Sequence, residues 1–422
     1  MIVLVQGLWH LGSVTSACLA AAGHHVIGLD HDASTIAKLR EGKAPIAEPG
    51  LDELLAKHAA RLEFTTDATA AARADVAWVT YDTPVDADDR ADVDFVIARV
   101  GEMLPHLRDG AVVVVSSQLP VGSVARLEAM RRGVRFAASP ENLRLGKAIA
   151  VFSDPDRVIV GVRGDQTKAV ITELLAPITS KIEWMTVESA EMTKHAINAF
   201  LALSVTFANE LASVCERVGA DAKQVERGLK TESRIGPKAY LAPGGAFAGG
   251  TLARDVAFLT QLGQRHDLAL PLLSGVRPSN EAHKKWARRR LEERLGSLAG
   301  TTVAVWGLTY KPGTDTLRRS ASVELCRDLA AAGAKVVAWD PAVTSLPADL
   351  TDILSLAPSA ASALSDASAL VIATEWPELE RVELDALRAM KRTLVVDANR
   401  FLAKRFAGQE VEYYAVGVPT HG

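Results

Sequence analysis

Two polar side chains one helical turn apart are the first place where chemistry can be read from this chain. Lys194 and Asn198 stand at i and i+4 in a long apolar helical run, so both project from one face. A lysine beside an amide on such a face can hold an alkoxide or a carbonyl oxygen. Desolvation there would lower the lysine's pKa toward service as a base. The same spacing also describes a surface pair, and periodicity does not separate the two. A second constellation opens the chain. Gly7-Leu8-Trp9-His10-Leu11-Gly12 follows the apolar run 2–6, and Asp30 closes the next run, His25–Leu29. This is a dinucleotide-binding arrangement: the first glycine permits the tight turn, the last lets helix and strand pack, and a middle one admits the pyrophosphate. Trp9 occupies the middle position. Either its indole points outward and the helix N-terminus still binds a diphosphate, or it fills the cofactor's space. Asp30 would bond a ribose hydroxyl and repel a 2′-phosphate, so NAD is expected over NADP.

The elements that would position these residues alternate strand and helix. Apolar runs at 2–6, 25–29, 76–80, 111–116, 134–137 and 158–162, separated by helical segments, argue for a doubly wound parallel sheet. From Ser189 to Val218 the pattern is helical without Gly or Pro. A helix of ~30 residues runs ~45 Å, enough to bridge two domains. At Thr302 the first pattern recurs: strand 302–306, Gly307, helix 322–332, strand 335–339, Asp340. The fold class is therefore α/β, with two Rossmann-like doubly wound parallel-sheet domains joined by a long central helix. Boundaries fall near 185 and 298, giving 1–185, 186–298 and 299–422.

Composition narrows the class. The chain has 422 residues, 48% hydrophobic and 23% charged, with a net charge of -4, which leaves no electrostatic footprint for nucleic acid. Lys284–Arg290 is basic but reads as a solvated helix face. No signal peptide is expected, because the N-terminus lacks a basic region and cleavage site, and no apolar run approaches ~18 residues. Cys18, Cys215 and Cys326 are widely spaced in apolar helical patterns, which implies buried thiols and a reducing, cytoplasmic compartment. Metal-ligand spacing is absent.

Residues 243–256, Pro-Gly-Gly-Ala-Phe-Ala-Gly-Gly-Thr-Leu-Ala-Arg-Asp-Val, carry a resemblance. A glycine-rich loop running into a charged segment is similar to the catalytic loop of the UDP-glucose/GDP-mannose dehydrogenase family. Further motifs follow in the family's order: Glu48-Pro49-Gly50-Leu51, Thr83-Pro84, Pro120-Val121-Gly122, Pro140-Glu141-Asn142-Leu143-Arg144, Ala190-Glu191-Met192-Thr193-Lys194, Asn209-Glu210, Arg234-Ile235-Gly236, Gly307–Pro312 and Thr374-Glu375-Trp376. The resemblance implies NAD as cofactor, a nucleotide-sugar substrate and a homodimer formed through the helical region. It makes Lys194 and Asn198 an oxyanion-stabilising pair, Asp255 a water-orienting acid or base, and Glu141 the acid that assists water attack. It places Gly7, Trp9, His10, Leu11, Gly12, Asp30, Thr83, Gln118 and Arg318 on the cofactor side. Leu143, Arg144, Gly249 and Lys311 fall on the substrate side, with Arg234 reaching the neighbouring subunit's sugar pocket.

Four positions depart from the family: Trp9, Gln118 for threonine, Arg254 for lysine, and Thr251 for the nucleophilic cysteine. A thiol of pKa ~8.5 supplies thiolate near neutrality, whereas a threonine hydroxyl needs an adjacent base. The first oxidation of an alcohol needs no covalent nucleophile. Three outcomes stay open: a single two-electron or reversible step, such as epimerisation; a non-catalytic binding protein; or a full four-electron oxidation without cysteine.

Overall fold

Parallel strands covered on both faces read as unbroken apolar runs, and Val112–Val115, four valines all buried, is the purest case here. A computed structural model describes residues 1–84, 86, 91–141, 143, 145–248 and 250–419. The chain divides into two units, Met1–Ile197 and Asn198–Gly422. The first holds an eight-stranded sheet: β1 (Ile2–Gln6), β2 (His25–Leu29), β3 (Leu62–Thr65), β4 (Val76–Val79), β5 (Val112–Val115), β6 (Arg135–Ala138), β7 (Val158–Val162) and β8 (Ile182–Met185). Its order is β3-β2-β1-β4-β5-β6-β7-β8. Every pairing is parallel except β6 with β7. Alternate residues of β1 feed opposite faces: Val3 and Val5 pack with Leu19, Trp78 and Val114, and Leu4 packs with Val79, Val100 and Val113.

The second unit carries β9 (Thr302–Trp306), β10 (Lys335–Trp339), β11 (Leu354–Leu356), β12 (Ala369–Ile372), β13 (Leu394–Asp397) and β14 (Glu412–Tyr414). Their order is β11-β10-β9-β12-β13-β14, all parallel. Both sheets reverse strand order beside their first strand, so each has a switch point at its carboxyl ends where ligands settle.

The central helix is continuous from Val187 to Val218, 32 residues. Thr186 accepts the Ser189 N–H at 3.3 Å at its start, and Gly219 (φ +76) follows its end in the left-handed region. By length and composition alone this helix could cross a membrane. Its buried face nevertheless carries Glu191, Asn198, Asn209 and Glu216, each hydrogen-bonded to protein, the pattern of a helix packed in a core.

The basic stretch Lys284–Arg290 is not a solvated face. Trp286 and Arg290 are buried, and Glu216 accepts from both. Lys284 pairs with Glu281 and Glu324, and Arg288 with Glu292 and Asp328. The charges tie this segment to its neighbours, which a count of basic residues does not reveal.

Candidate active site

The dinucleotide turn of the first unit keeps the two glycines that geometry demands. Gly7 has φ +94, and a Cβ on Gly12 would lie 1.8 Å from the Gly7 carbonyl oxygen. Trp9, the residue before the helix His10–Ala21, has an ordinary φ of −75 and is 49% exposed. At that φ the backbone here needs no third glycine. Asp30 ends β2 with a fixed carboxylate: Oδ2 accepts the Leu8 N–H at 2.6 Å and Oδ1 the Asp32 N–H at 2.9 Å, with His31 Nδ1 3.1 Å away.

Sequence reasoning gave Glu48 no role, yet it holds this turn. His10 Nε2 lies 2.9 Å from its carboxylate, which also accepts the N–H groups of Gly146 and Ala148 at 2.7 and 2.9 Å. Burial of Glu48 works against ionisation, but the Gly146 N–H, the His10 ring and the Ala148 N–H outweigh it and hold the carboxyl below its ordinary value. Leu11 is half-buried on the same helix.

Thr83 donates to the carbonyl of Gln118 at 2.8 Å, so the structure brings together two residues expected on the cofactor side. The segment after Gln118 is locked to the central helix. Buried Glu191 accepts the N–H groups of Gly122 and Val124 at 2.8 and 2.9 Å, and His195 Nε2 is 3.0 Å from the Leu119 carbonyl oxygen. Burial raises the Glu191 pKa against those two N–H groups. On the same stretch of helix, Lys194 Nζ donates to the Glu141 carbonyl at 2.6 Å. Leu143 packs against the core at that end of the sheet. Arg144 lies outside the described residues, as does Gly249.

In the second unit, Asn198 donates through its amide to Asp255, whose side chain is fully buried. Asp255 sits one turn into the helix Thr251–Arg265, which follows Gly250 at φ +114. Thr251 is its first residue, exposed, and its hydroxyl has no hydrogen-bond partner among the described residues. Arg254, half-buried, shares that first turn. All three cysteines are buried: burial pushes Cys18 up to about 11 and Cys326 up to about 12, and raises Cys215 as well.

A cavity of about 610 Å³ opens at the carboxyl ends of β12 and β13, lined by Gly245, Ala246 and Ala248 of the glycine-rich loop and by Tyr310, Lys311 and Lys285. This volume suits a nucleotide-sized ligand. It is not a second dinucleotide site of the first kind. Asp340, the counterpart of Asp30, is consumed internally by Leu308 N–H, Thr309 N–H and hydroxyl, and Trp376 Nε1. Arg318 is exposed, and the exposed Arg234 pairs with Glu232 at 2.9 Å.

The first unit supplies a dinucleotide turn and Lys194; the second supplies Asn198, one helical turn further along the central helix, a buried carboxylate bonded to its amide, and a nucleotide-sized cavity. Comparison with known proteins gives the same set of parts. Residues 1–179 match the NAD binding domain of the UDP-glucose/GDP-mannose dehydrogenase family, 188–282 its central domain, and 304–404 its UDP binding domain. A UDP-glucose 6-dehydrogenase of Rhizobium meliloti (strain 1021) is 36% identical over 437 residues, covering 99% of this chain and 100% of the relative. A UDP-glucose 6-dehydrogenase of Bacillus subtilis (strain 168) is 33% identical, covering 99% and 93%. Among solved structures, a UDP-glucose dehydrogenase from Pyrobaculum islandicum superposes with a TM-score of 0.88 at 31% identity, covering 99% of this chain and 98% of that one.

Proposed function

The chain belongs to the UDP-glucose/GDP-mannose dehydrogenase family, and on that premise we propose that it oxidises a CH–OH group of a UDP-sugar by a single hydride transfer to NAD. The observation that carries the single step is Thr251. It opens its helix without a base bonded to its hydroxyl among the described residues, and the three cysteines are buried with raised pKa values. NAD fits the turn: both required glycines are kept, Trp9 is half-exposed, and Asp30 is fixed at the end of β2. When bound there, NAD supplies the hydride acceptor. The alcohol's proton would pass to solvent water, Lys194 and Asn198 would stabilise the alkoxide left behind, and Asp255 orients the Asn198 amide for that task. Lys311 and the glycine-rich loop hold the nucleotide, with UDP-glucose the first substrate to try because the named relatives act on it.

We also read the protein as a homodimer. Phe200, Phe207, Val214 and Val218 are 66%, 50%, 56% and 70% exposed at helical spacing along one face of the central helix. Four large apolar residues on one exposed stripe mark a surface that a partner covers. The test of the catalytic reading is stoichiometry: one NADH for each UDP-glucose consumed, with a product that a carbonyl reagent traps. Two NADH and a uronic acid would instead make this a four-electron enzyme without cysteine. No NADH with any UDP-sugar would leave a binding protein.

A further inference from the structure

Residues 241–248 form neither helix nor strand, yet the backbone from Gly244 to Phe247 is bonded almost as fully as a strand. Asn209 accepts the Gly244 N–H at 3.0 Å and donates to the Gly245 carbonyl at 3.3 Å. Asn280 accepts the Phe247 N–H at 3.0 Å and donates to the Phe247 carbonyl at 2.8 Å. His283 Nε2 lies 2.8 Å from the Gly244 carbonyl oxygen, and Asn399 accepts the Gly245 N–H at 2.7 Å. These side chains come from the central helix, the helix Pro271–Lys284 and the end of β13. Asn209, Asn280 and His283 are 1%, 2% and 8% exposed, so their bonds do not compete with water. Burial lowers the His283 pKa against the Gly244 carbonyl, which favours a neutral ring donating from Nε2. The loop is also shaped for the clamp. A Cβ on Gly244 would lie 2.1 Å from Asn399 Oδ1.

We propose that Asn209, Asn280, His283 and Asn399 are positioning residues that hold Gly244–Phe247 as a preformed wall of the nucleotide cavity. Gly245 and Ala246 line that cavity, as do His283 and Asn399, whereas Asn209 and Asn280 reach it only through the loop, and glycine-rich backbone loses more freedom on ordering than any other. A free loop would charge that entropy against substrate binding, and the clamp removes the cost before the substrate arrives. The helix that follows shares an apolar cluster with Phe247 through Val256, but it has an anchor of its own outside the clamp, Asp255 on Asn198. Loosening the clamp therefore weakens nucleotide binding and spares the hydride step.

The inference rests on reading the cavity as the nucleotide site, and the test separates the two. UDP is titrated calorimetrically into the wild type and into Asn280→Ala, His283→Leu and His283→Gln, each checked for folding by circular dichroism. Asn280→Ala and His283→Leu should weaken UDP binding about tenfold and raise the KM for the UDP-sugar in parallel, with kcat within about threefold. His283→Gln keeps an N–H donor and should stay within about twofold of wild type. If Asn280→Ala does not fold, Asn209→Ser, which also holds the loop from outside the cavity lining, decides the question together with the His283 pair. No UDP binding by the wild type would overturn the nucleotide-site reading itself. Wild-type binding matched by folded His283→Leu and Asn209→Ser, or a collapse of kcat at unchanged UDP affinity, would overturn the clamp alone.

Discussion

At the scale of single residues, what matters is which atom could carry each half of the chemistry. Thr251 is exposed, with no hydrogen-bond partner among the described residues, so removing its hydroxyl removes little. Thr251→Ala should keep kcat within about fivefold of wild type, since at most one weak bond of about 1 kcal/mol is lost. A steady-state assay of NADH formation checks this, and loss of turnover would make threonine the nucleophile. Thr251→Cys should raise the NADH yield per sugar above one, read against uronic acid by mass spectrometry. Lys194 stands at the other extreme. Its ammonium is held at 2.6 Å on the Glu141 carbonyl, a placement that a surface lysine does not need. Lys194→Ala should lower kcat about 10²–10³-fold with an unchanged circular dichroism spectrum, the scale of losing one preorganised oxyanion donor.

At the scale of elements, the dinucleotide turn depends on an acid that spacing does not reveal. Glu48 lies 38 residues from His10 and about a hundred from Gly146 and Ala148, yet it bonds all three. Its folded pKa is depressed, so its stabilising contribution is present above the unfolded value of ~4.3 and is lost as pH falls through the lower folded value. Glu48→Gln should therefore cost about 1–2 kcal/mol at neutral pH. Thermal melts should show the mutant and wild type converging as pH drops below about 4, and a constant gap down to pH 3 would refute the assignment. Much else at this scale was legible. The runs at β1, β2, β7, β9 and β10 coincide with the strands observed, because buried parallel strands leave continuous apolar sequence. The short strands β3, β8, β11 and β14 were not, since three or four residues at or near sheet edges leave mixed patterns that a helix or loop also produces. The reversed direction of β7 was equally hidden, because direction leaves no mark on periodicity. The clamp on Gly244–Phe247 escaped for a related reason: Asn209, Asn280, His283 and Asn399 converge only through tertiary folding.

At the scale of the whole molecule, the exposed stripe on the central helix and the exposed Arg234 raise one question, what a second copy contributes. A chain of 44.9 kDa that dimerises through Phe200, Phe207, Val214 and Val218 should sediment at twice that mass. Phe207→Glu should shift it to the monomer, because burying an unpaired carboxylate in an apolar interface is far costlier than the phenyl contact it replaces. Arg234 gives the sharper test. Among the described residues its side chain pairs with the neighbouring Glu232, across 2.9 Å, and it is 86% exposed. If it completes the partner's sugar pocket, Arg234→Ala and Lys194→Ala damage different sites. Homodimers of either variant should be nearly inactive. Co-expressed in equal amounts, half the dimers pair one of each, and in those one site has an intact Lys194 facing an intact Arg234. Activity should recover to about a quarter of wild type, as random pairing in a two-fold assembly requires. A mixture no more active than the two variants alone would place Arg234 in its own chain's pocket or on the solvated surface. Recovery that also survives Phe207→Glu would show that the subunits meet by some other face.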